Sequence, residues 1–330
     1  MAVRVRGLRK VFGRTRRTVA VDGVDLDVPA GAVLGVLGPN GSGKTTMIRM
    51  LLGLCRPTAG EVELLGSRMP EDAVDVLPRV GALVEGPGFH PFLSGRENLL
   101  RCAAFEPLVP ASKMSSIVDD ALARVGLAGA ARRAYRGYSL GMKQRLGLAS
   151  ALLVPRELVV LDEPTNGLDP AGTREVRRII AELHEAGSTV LVSSHLLSEV
   201  EATCTHVAVL QAGAVVAQGP LARMLEGDQP VLEVITSDAD LALASLRAAG
   251  VPTRPCRGGV EAELLVTTAP AVIATLVRAG VSVYEARRRR TGLEELFAAL
   301  TEEDTEEGTV AGTMAGTGKG AAGGTVGGAG

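Results

Sequence analysis

The chain has 330 residues, of which 46% are hydrophobic, and a formal net charge of −2. This length and apolar content allow a buried core and about two domains, while the small net charge argues against broad electrostatic binding of nucleic acid. The aromatic content of 2%, without tryptophan, also provides few rings on which bases could stack.

Membrane-span and signal-peptide patterns and the spacing of cysteines indicate the cellular compartment of the protein. No apolar run approaches the roughly 18–20 residues of a membrane span, and the N-terminal stretch MAVRVRGLRK lacks the apolar core of a signal peptide. The four cysteines are far apart and form no C-x-x-C pair, so neither a zinc site nor a disulfide framework is indicated. We therefore expect a cytoplasmic protein with reduced thiols.

Up to about residue 226, short apolar runs alternate with helical segments and glycine turns, a pattern that favours an α/β domain with a largely parallel sheet. Three apolar runs are predicted to be its buried central strands, at 33–37, 158–161 and 189–193. The segment 94–150 is predicted to be an inserted helical subdomain. Its first residues, SGRE, place Ser94 and Glu97 at the spacing of a capping box.

The composition changes after about residue 226, and a second, smaller α+β module is predicted at 227–301. The pattern predicts, in order, a strand at 231–237, a helix at 238–249, two strands that meet at Gly258 and Gly259, a helix at 269–279 and a strand at 281–287. This βαββαβ order is typical of a ferredoxin-like module. A closing helix at 292–300 and an acidic, glycine-rich, disordered tail at 302–330 complete the prediction.

The stretch GPNGSGKTT at 38–46 lies directly between a predicted strand and a helical segment, and it fits the pattern G-x-x-x-x-G-K-[ST]. Glycines let backbone N–H groups surround a polyphosphate, and the following helix directs the positive end of its dipole to the same anion. Lys44 would neutralise charge on the β- and γ-phosphates, and Thr45 would offer Mg²⁺ a hydroxyl oxygen. The alternative is a glycine-rich turn without a ligand, which this context disfavours. The predicted phosphate-binding residues are Gly38, Asn40, Gly41, Ser42, Gly43, Lys44, Thr45 and Thr46.

A second motif, ELVVLDEPTNGLD at 157–169, brings Asp162 and Glu163 to the carboxyl end of a predicted buried strand, where ligands bind in open α/β sheets. Asp162 would hold Mg²⁺, and Glu163 would orient or deprotonate an attacking water as a general base. His195 follows another predicted strand at the same edge, from which a histidine donor reaches a γ-phosphate. Each residue alone also fits an ordinary surface or packing role, but the phosphate loop makes the hydrolytic interpretation the stronger one.

A third motif, YSLGM at 138–142, opens a helical stretch with small residues. Ser139 fits a simple helix N-cap, and the local residues leave that interpretation open.

Together these motifs resemble those of the nucleotide-binding subunit of ABC transporters, and in particular the bacterial exporters of the bacitracin, daunorubicin and lantibiotic type. The resemblance is close over about 1–226 and weak over the C-terminal module. It implies a P-loop NTPase fold in which Asp169 belongs to the D-loop and His195 is the switch histidine. It also implies that Phe12 stacks on adenine, although core packing explains this aromatic residue about as often.

The same resemblance implies that YSLGM is this chain's form of the family signature LSGGQ, with Ser139 and Gly141 contacting a γ-phosphate. Where most relatives carry a glutamine that joins Mg²⁺ to the transmembrane partner, this chain has Glu85. A carboxylate is an acceptable hard-oxygen ligand but a poor neighbour for Glu163. The implied metal ligands are Thr45, Glu85 and Asp162.

The family implies an ATPase that uses ATP and Mg²⁺, pairs with a second nucleotide-binding subunit, expected to be a homodimer partner, and powers a separate integral-membrane permease. We expect export of an antibiotic, peptide or other hydrophobic compound from a peripheral position on the inner face of the cell membrane, without nucleic acid. The alternative is a soluble ABC-type ATPase acting on DNA or the ribosome. Such relatives usually carry two nucleotide-binding halves or long coiled coils, and this chain has one phosphate loop and no sustained heptads.

Overall fold

The computed structural model of the chain describes residues 1–13, 16–84, 88–226 and 231–289. The strands within these ranges are β1 (Val3–Phe12), β2 (Thr18–Val28), β3 (Val33–Leu37), β4 (Ala59–Leu64), β5 (Ser67–Met69), β6 (Val80–Leu83), β7 (Leu158–Asp162), β8 (Thr189–Ser194), β9 (His206–Gln211), β10 (Ala214–Pro220), β11 (Val231–Ile235), β12 (Thr253–Cys256), β13 (Gly259–Glu263) and β14 (Glu285–Arg289). The α-helices are α1 (Lys44–Leu51), α2 (Ala73–Val76), α3 (Gly95–Ala104), α4 (Met114–Arg124), α5 (Leu140–Ala151), α6 (Pro170–Glu185), α7 (Leu197–Thr203), α8 (Leu221–Glu226), α9 (Ala239–Ala248) and α10 (Ala269–Arg278).

The central layer is a six-stranded sheet in the order β10-β9-β3-β8-β7-β6. Its strands are parallel except for β10, which pairs with β9 in the antiparallel direction. Every residue of β3, β7 and β8 is buried, as the continuous apolar runs of a parallel sheet covered on both faces require. The α/β class and the three predicted central strands are therefore confirmed.

Successive residues of these strands enter two different cores, because side chains alternate across a sheet. Val33, Val159 and Val190 pack with the helices α3 to α6 on one face. On the other face, Leu34 and Leu191 pack with α1 and with a second, antiparallel sheet. That sheet has the order β2-β1-β4-β5.

The segment predicted to be helical contains α3, α4 and α5. Helix α3 begins with the predicted capping box: the Ser94 Oγ accepts a hydrogen bond from the Glu97 N–H at 3.2 Å, and the Ser94 N–H donates to the Glu97 carboxylate at 2.7 Å. These bonds favour the ionised carboxylate and hold the pKa of Glu97 below its ordinary value. The capping box that the sequence predicted is confirmed.

A buried ion pair joins this helical segment to the central sheet. The Arg156 guanidinium, just before β7, pairs with the Glu106 carboxylate, just after α3, and also donates a hydrogen bond to the Pro78 carbonyl at 2.5 Å. The two charged side chains are only 5% and 12% exposed. Because neither charge can be satisfied by bulk water, each depends on the other.

We expect Glu106→Ala to lower the free energy of unfolding by about 3 kcal/mol, since it leaves the Arg156 charge buried without its carboxylate. For a domain of this size that corresponds to a Tm lower by about 6–12 °C, measurable by calorimetry or circular dichroism. The matched control is Glu157→Ala, which breaks the Arg79–Glu157 pair whose side chains are 41% and 58% exposed. That exposed pair should contribute less than about 1 kcal/mol. Equal Tm shifts for the two variants would contradict the prediction.

The C-terminal elements form a separate antiparallel sheet in the order β12-β13-β11-β14. Helices α9 and α10 pack on one face of it through residues such as Leu246 and Leu276, opposite Val234 and Val260. The predicted βαββαβ order is confirmed, and the strand order is that of a ferredoxin-like module.

The last strand begins four residues later than predicted, at Glu285 rather than at residue 281. Val281 is buried in the core of the module, and its N–H donates to the Leu276 carbonyl at 3.0 Å, so it closes α10 rather than extending the sheet. The next residue, Ser282, donates its N–H to the carboxylate of Asp238, the N-cap of α9, at 2.9 Å. The closing helix predicted at 292–300 and the tail predicted at 302–330 lie outside the described residues. Among the residues that are described, no helix combines the length and apolarity needed to cross a bilayer.

Candidate functional site

The register of the central sheet brings three loops to one edge. Strand β8 lies between β3 and β7, with Leu37 beside Ser194 and Asp162 beside Ser193. Because the three strands are parallel, the residues that follow them emerge at the same carboxyl edge. The phosphate loop, Glu163 and His195 therefore meet there, although more than a hundred residues separate the first from the other two in the chain.

The phosphate loop depends on glycine at two positions where the chain passes close to other backbone. A Cβ at Gly38 would collide with the Leu210 carbonyl oxygen, and one at Gly43 with the Ala20 carbonyl oxygen. Gly43 also has a φ of 103°, which side-chain-bearing residues rarely adopt. It is the N-cap of α1, and no side chain caps that helix, so the backbone N–H groups of its first turn remain available to an anion.

Lys44 is the cation of this loop. Its side chain is only 5% exposed, and its ammonium donates to the Gly38 carbonyl at 2.7 Å and to the Pro39 carbonyl at 3.1 Å. The same Nζ lies 3.6 Å from Oε1 of Glu163. The buried ammonium thus joins the phosphate loop to the carboxylate that follows β7.

Glu163 lies between two charged or polar partners. Its Oε1 faces Lys44, and its Oε2 is 3.3 Å from Nδ1 of His195. Its backbone has a φ of 45°, in the left-handed region, which costs a non-glycine residue about 1 kcal/mol or more. Strain of this kind persists where surrounding contacts hold it, and here the Glu163 carbonyl accepts hydrogen bonds from the Asn166 N–H at 3.1 Å and from Nε2 of Gln144 at 3.3 Å. The carboxylate is therefore aimed along the edge that carries the phosphate loop.

Asp162, the last residue of β7, is buried, and its Oδ1 accepts a hydrogen bond from the Ser193 hydroxyl at 2.6 Å. The Ser193 oxygen in turn accepts from the Glu163 N–H at 2.8 Å. The sequence analysis did not single out Ser193. The sequence could have indicated Ser193 only through the pairing of strands. If β7 and β8 are parallel neighbours, the residue two positions before His195 lies beside Asp162, at the end of β7.

Glu199, in α7, is a second buried residue that the sequence analysis missed. Its Oε2 accepts hydrogen bonds from Thr165 Oγ1 at 2.6 Å and from Ser194 Oγ at 3.1 Å. Thr165 lies in the loop that follows β7, and Ser194 is the last residue of β8. The carboxylate therefore connects the backbone near Glu163 with the backbone near His195.

A cleft of about 270 Å³ opens at this edge, and the residues that line it are Leu37, Gly38, Pro39, Asn40, His195 and Leu197. The donor chemistry around it suits a magnesium–nucleotide complex. Backbone N–H groups and the Lys44 ammonium match phosphate oxygens, and the Thr45 hydroxyl and the Asp162 carboxylate are hard oxygen ligands of the kind that Mg²⁺ prefers. The Ser42 hydroxyl, buried in the same loop, has no hydrogen-bond partner in the described part of the chain.

The signature motif lies on a different helix from these residues. Ser139 is the N-cap of α5, and its Oγ accepts a hydrogen bond from the Met142 N–H at 3.2 Å. Leu140 is 64% exposed, yet its side chain reaches the backbone of Gly167, in the loop between β7 and α6. Ser139 contacts α5 itself, and Gly141 lies against the Leu168 side chain. Neither of these contacts is with the phosphate loop of the same chain.

Three further residues were predicted to belong to the nucleotide site: Phe12, Asp169 and Glu85. Phe12 ends β1 and is 43% exposed, with Nζ of Lys10 5.0 Å from its ring centroid, so it is not a core residue. Asp169 is the N-cap of α6 and accepts a hydrogen bond from the Gly172 N–H at 2.9 Å. Glu85 lies outside the described residues.

A phosphate loop follows the central strand β3, a histidine follows its neighbour β8, and an acidic residue follows β7, the next strand along the sheet. This arrangement defines the class of P-loop nucleoside triphosphatases. Residues 21–166 match the family model described as "ABC transporter". The bacitracin transport ATP-binding protein BcrA of Bacillus licheniformis is 41% identical over 242 residues, covering 73% of this chain and 77% of that protein. The daunorubicin resistance ATP-binding protein DrrA3 of Streptomyces coeruleorubidus is 36% identical over 311 residues, covering 92% of this chain and 96% of that protein. The chain belongs to the ABC transporter ATP-binding family, and it is an ATP-binding ATPase subunit of that family.

Solved structures agree with the fold. The structure titled "Structure of ATP binding subunit of ABC transporter" is 26% identical, with a TM-score of 0.61 over 68% of this chain and 92% of that one. A dimeric ATP-binding cassette in a post-hydrolysis state, bound to ADP and Pi, is 23% identical. It superposes with a TM-score of 0.62, covering 66% of this chain and 98% of the cassette. Each match covers about two thirds of this chain.

Proposed function

We propose that this chain is one of a pair of ATP-hydrolysing subunits that power a separate membrane permease, and that the transported compound is an antibiotic, a peptide or another hydrophobic molecule that is exported. The observation that carries the proposal is the position of the Glu163 carboxylate, held between Lys44 and His195 beside the phosphate loop. A carboxylate in this position is where a general base for an attacking water is needed.

The roles of the site residues follow from their positions. The first-turn N–H groups of α1 and the Lys44 ammonium would bind the β- and γ-phosphates, and Phe12 offers an exposed ring to the adenine. Thr45 and Asp162 would hold Mg²⁺, which supplies charge stabilisation at the phosphate oxygens when bound. Glu85 remains a proposed third oxygen ligand and link to the permease.

Hydrolysis would then depend on Glu163 and His195. Glu163 would accept a proton from the attacking water at its carboxylate, and His195, 3.3 Å from that carboxylate, would orient it and donate toward the γ-phosphate. The fixed Lys44 charge stabilises negative charge that develops on the transferred phosphoryl group. Because these donors are positioned before the nucleotide arrives, little reorganisation is needed during the reaction.

The pairing of two subunits rests on the signature helix. Ser139, the N-cap of α5, and Gly141 in its first turn place small residues at a helix N-terminus suited to a γ-phosphate. Ser139 and Gly141 contact α5 and Leu168 and not the phosphate loop of their own chain. We therefore propose that they complete the nucleotide site of a second copy of this chain, with Asp169 near the interface between the two copies.

The export role is supported by relatives whose names refer to bacitracin transport and daunorubicin resistance. The second of these aligns over nearly the whole chain, including the C-terminal module. We propose a division into an ATP-binding domain at 1–226, with its helical subdomain at about 94–150, an accessory module at 227–301 and a tail at 302–330. Membrane association would come through the permease, on the cytoplasmic face.

The test is affinity purification of the tagged chain from detergent-solubilised native membranes, followed by identification of the proteins that accompany it. We expect an integral-membrane permease in about equal amount, and ATP-dependent transport of a peptide antibiotic or an anthracycline by the purified complex in vesicles. The matched control is Ser139→Arg, which should retain the permease and lose transport. Recovery of ribosomal proteins or DNA without a membrane protein would instead favour the alternative class.

A further inference from the structure

Ser193 occupies an unusual position between the two acidic residues of the site. Its side chain is completely buried, at 0% exposure. It is the direct ladder partner of Asp162, so their side chains leave the parallel strands β7 and β8 toward the same face of the sheet. One hydroxyl therefore donates to Asp162 Oδ1 at 2.6 Å and accepts from the Glu163 N–H at 2.8 Å.

We propose that Ser193 is a positioning residue for ATP hydrolysis, one that sets both the orientation of the Asp162 carboxylate toward Mg²⁺ and the backbone conformation from which Glu163 reaches its water. The proposal rests on the proposed function of the site, because it deepens the roles assigned to Asp162 and Glu163. Ser193 is called a positioning residue because it acts through the two acidic residues that its hydroxyl contacts.

The first half of the argument concerns Asp162. The Ser193 hydroxyl donates to Oδ1 at 2.6 Å, and this bond restrains the orientation of the carboxylate. Residues that orient a ligating carboxylate influence metal affinity although they do not touch the metal. An aspartate without this bond would rotate among several orientations and hold the metal less well.

The second half concerns Glu163. Its φ of 45° is unfavourable for a residue with a Cβ, and such conformations persist when hydrogen bonds over-determine them. The carbonyl is held by Asn166 and Gln144, and the N–H is held by Ser193. Loss of the last bond would leave a partly buried N–H without its acceptor and release the turn that aims the carboxylate. A displacement of about 1 Å in a catalytic group can lower a rate about a hundredfold.

The test compares Ser193→Ala with Ser193→Thr, which keeps the hydroxyl, and with the matched control Ser188→Ala. Ser188 is also buried, and its hydroxyl donates to the Arg156 carbonyl at 2.7 Å at the opposite end of β8. Removing it costs a buried hydrogen bond of the same kind without touching the acidic pair. Each variant of the full chain is measured for ATP turnover, for Tm, and for ADP affinity by calorimetry with and without Mg²⁺.

We expect Ser193→Ala to lower kcat by about ten- to a hundredfold, with KM for ATP changed less than about threefold and metal-free ADP affinity unchanged. The gain in ADP affinity that Mg²⁺ provides should fall at least about threefold, within the range expected for a residue that supports a metal ligand. Ser193→Thr should restore most of both properties, and Ser188→Ala should lower Tm alone.

Three outcomes would overturn the inference. The kcat of Ser193→Ala could stay within about twofold of the unmodified chain, or Mg²⁺ could raise the ADP affinity of that variant as much as before. Ser188→Ala could also lose as much kcat and as much of the Mg²⁺ effect as Ser193→Ala. If Ser193→Ala does not fold, Ser193→Thr with an unchanged Tm but without activity would also overturn it. A failure of the proposed function is distinguishable, because the unmodified chain would then bind no nucleotide and hydrolyse no ATP.

Discussion

Glu163→Gln is expected to lower ATP turnover by about 10²–10⁴-fold and to trap two chains around ATP. Glutamine keeps the size of the side chain and can still accept a hydrogen bond from His195, but it cannot take a proton from water. Two chains that close over ATP then have no hydrolytic route to reopen. By sedimentation velocity or light scattering, the variant should be mainly monomeric without nucleotide and dimeric with ATP·Mg²⁺.

The control for this prediction uses the signature motif. ADP should not produce the dimer, because it has no γ-phosphate for Ser139 to contact. Adding Ser139→Arg to Glu163→Gln should cancel the ATP-dependent shift, since a bulky cation would occupy the approach to the partner's phosphate. A dimer that survives Ser139→Arg unchanged would show that Ser139 acts only as the N-cap that its bond to the Met142 N–H already makes it.

Lys44→Ala is expected to lower ATP turnover at least about a hundredfold, the order of loss seen when one charge-stabilising donor is removed from a transition state. It removes the fixed charge that screens the β- and γ-phosphates, and it also removes the ion pair that holds Oε1 of Glu163. The fold should persist, because α1 and β3 are stabilised by apolar side chains such as Met47, Ile48 and Val36. Steady-state hydrolysis and circular dichroism measure the two effects separately.

The matched control is Lys113→Ala, at an exposed lysine of the helical segment. This variant should keep turnover within about twofold of the unmodified chain, because Lys113 does not line the cleft and its exposed charge is screened by salt. A folded Lys44→Ala protein with normal turnover would remove the basis of the assigned site, whatever the behaviour of Glu163.

Much of the site could be predicted from the sequence because its motifs are local. The phosphate loop joins a strand to a helix within about ten residues, and the acidic pair directly follows an apolar run. The capping box at Ser94 depends on two residues three positions apart. The prediction was wrong at residue 281, where Val281 closes α10 through a bond to Leu276 and Ser282 bonds to Asp238, 44 positions away.

By itself, the sequence determined the α/β class, the three central strands and the position of the phosphate loop, and it pointed to Asp162, Glu163 and His195 at strand ends. Apolar periodicity and glycine spacing are properties of neighbouring residues, so these features are visible along the chain. Only the tertiary structure decided that Lys44 pairs with Glu163, that Arg156 and Glu106 form a buried ion pair, and that Ser193 joins Asp162 to Glu163. These contacts link residues from 30 to more than a hundred positions apart. The physical reason is that such pairs arise from strand order and register, which are set by the burial of two whole sheet faces and not by any short pattern along the chain.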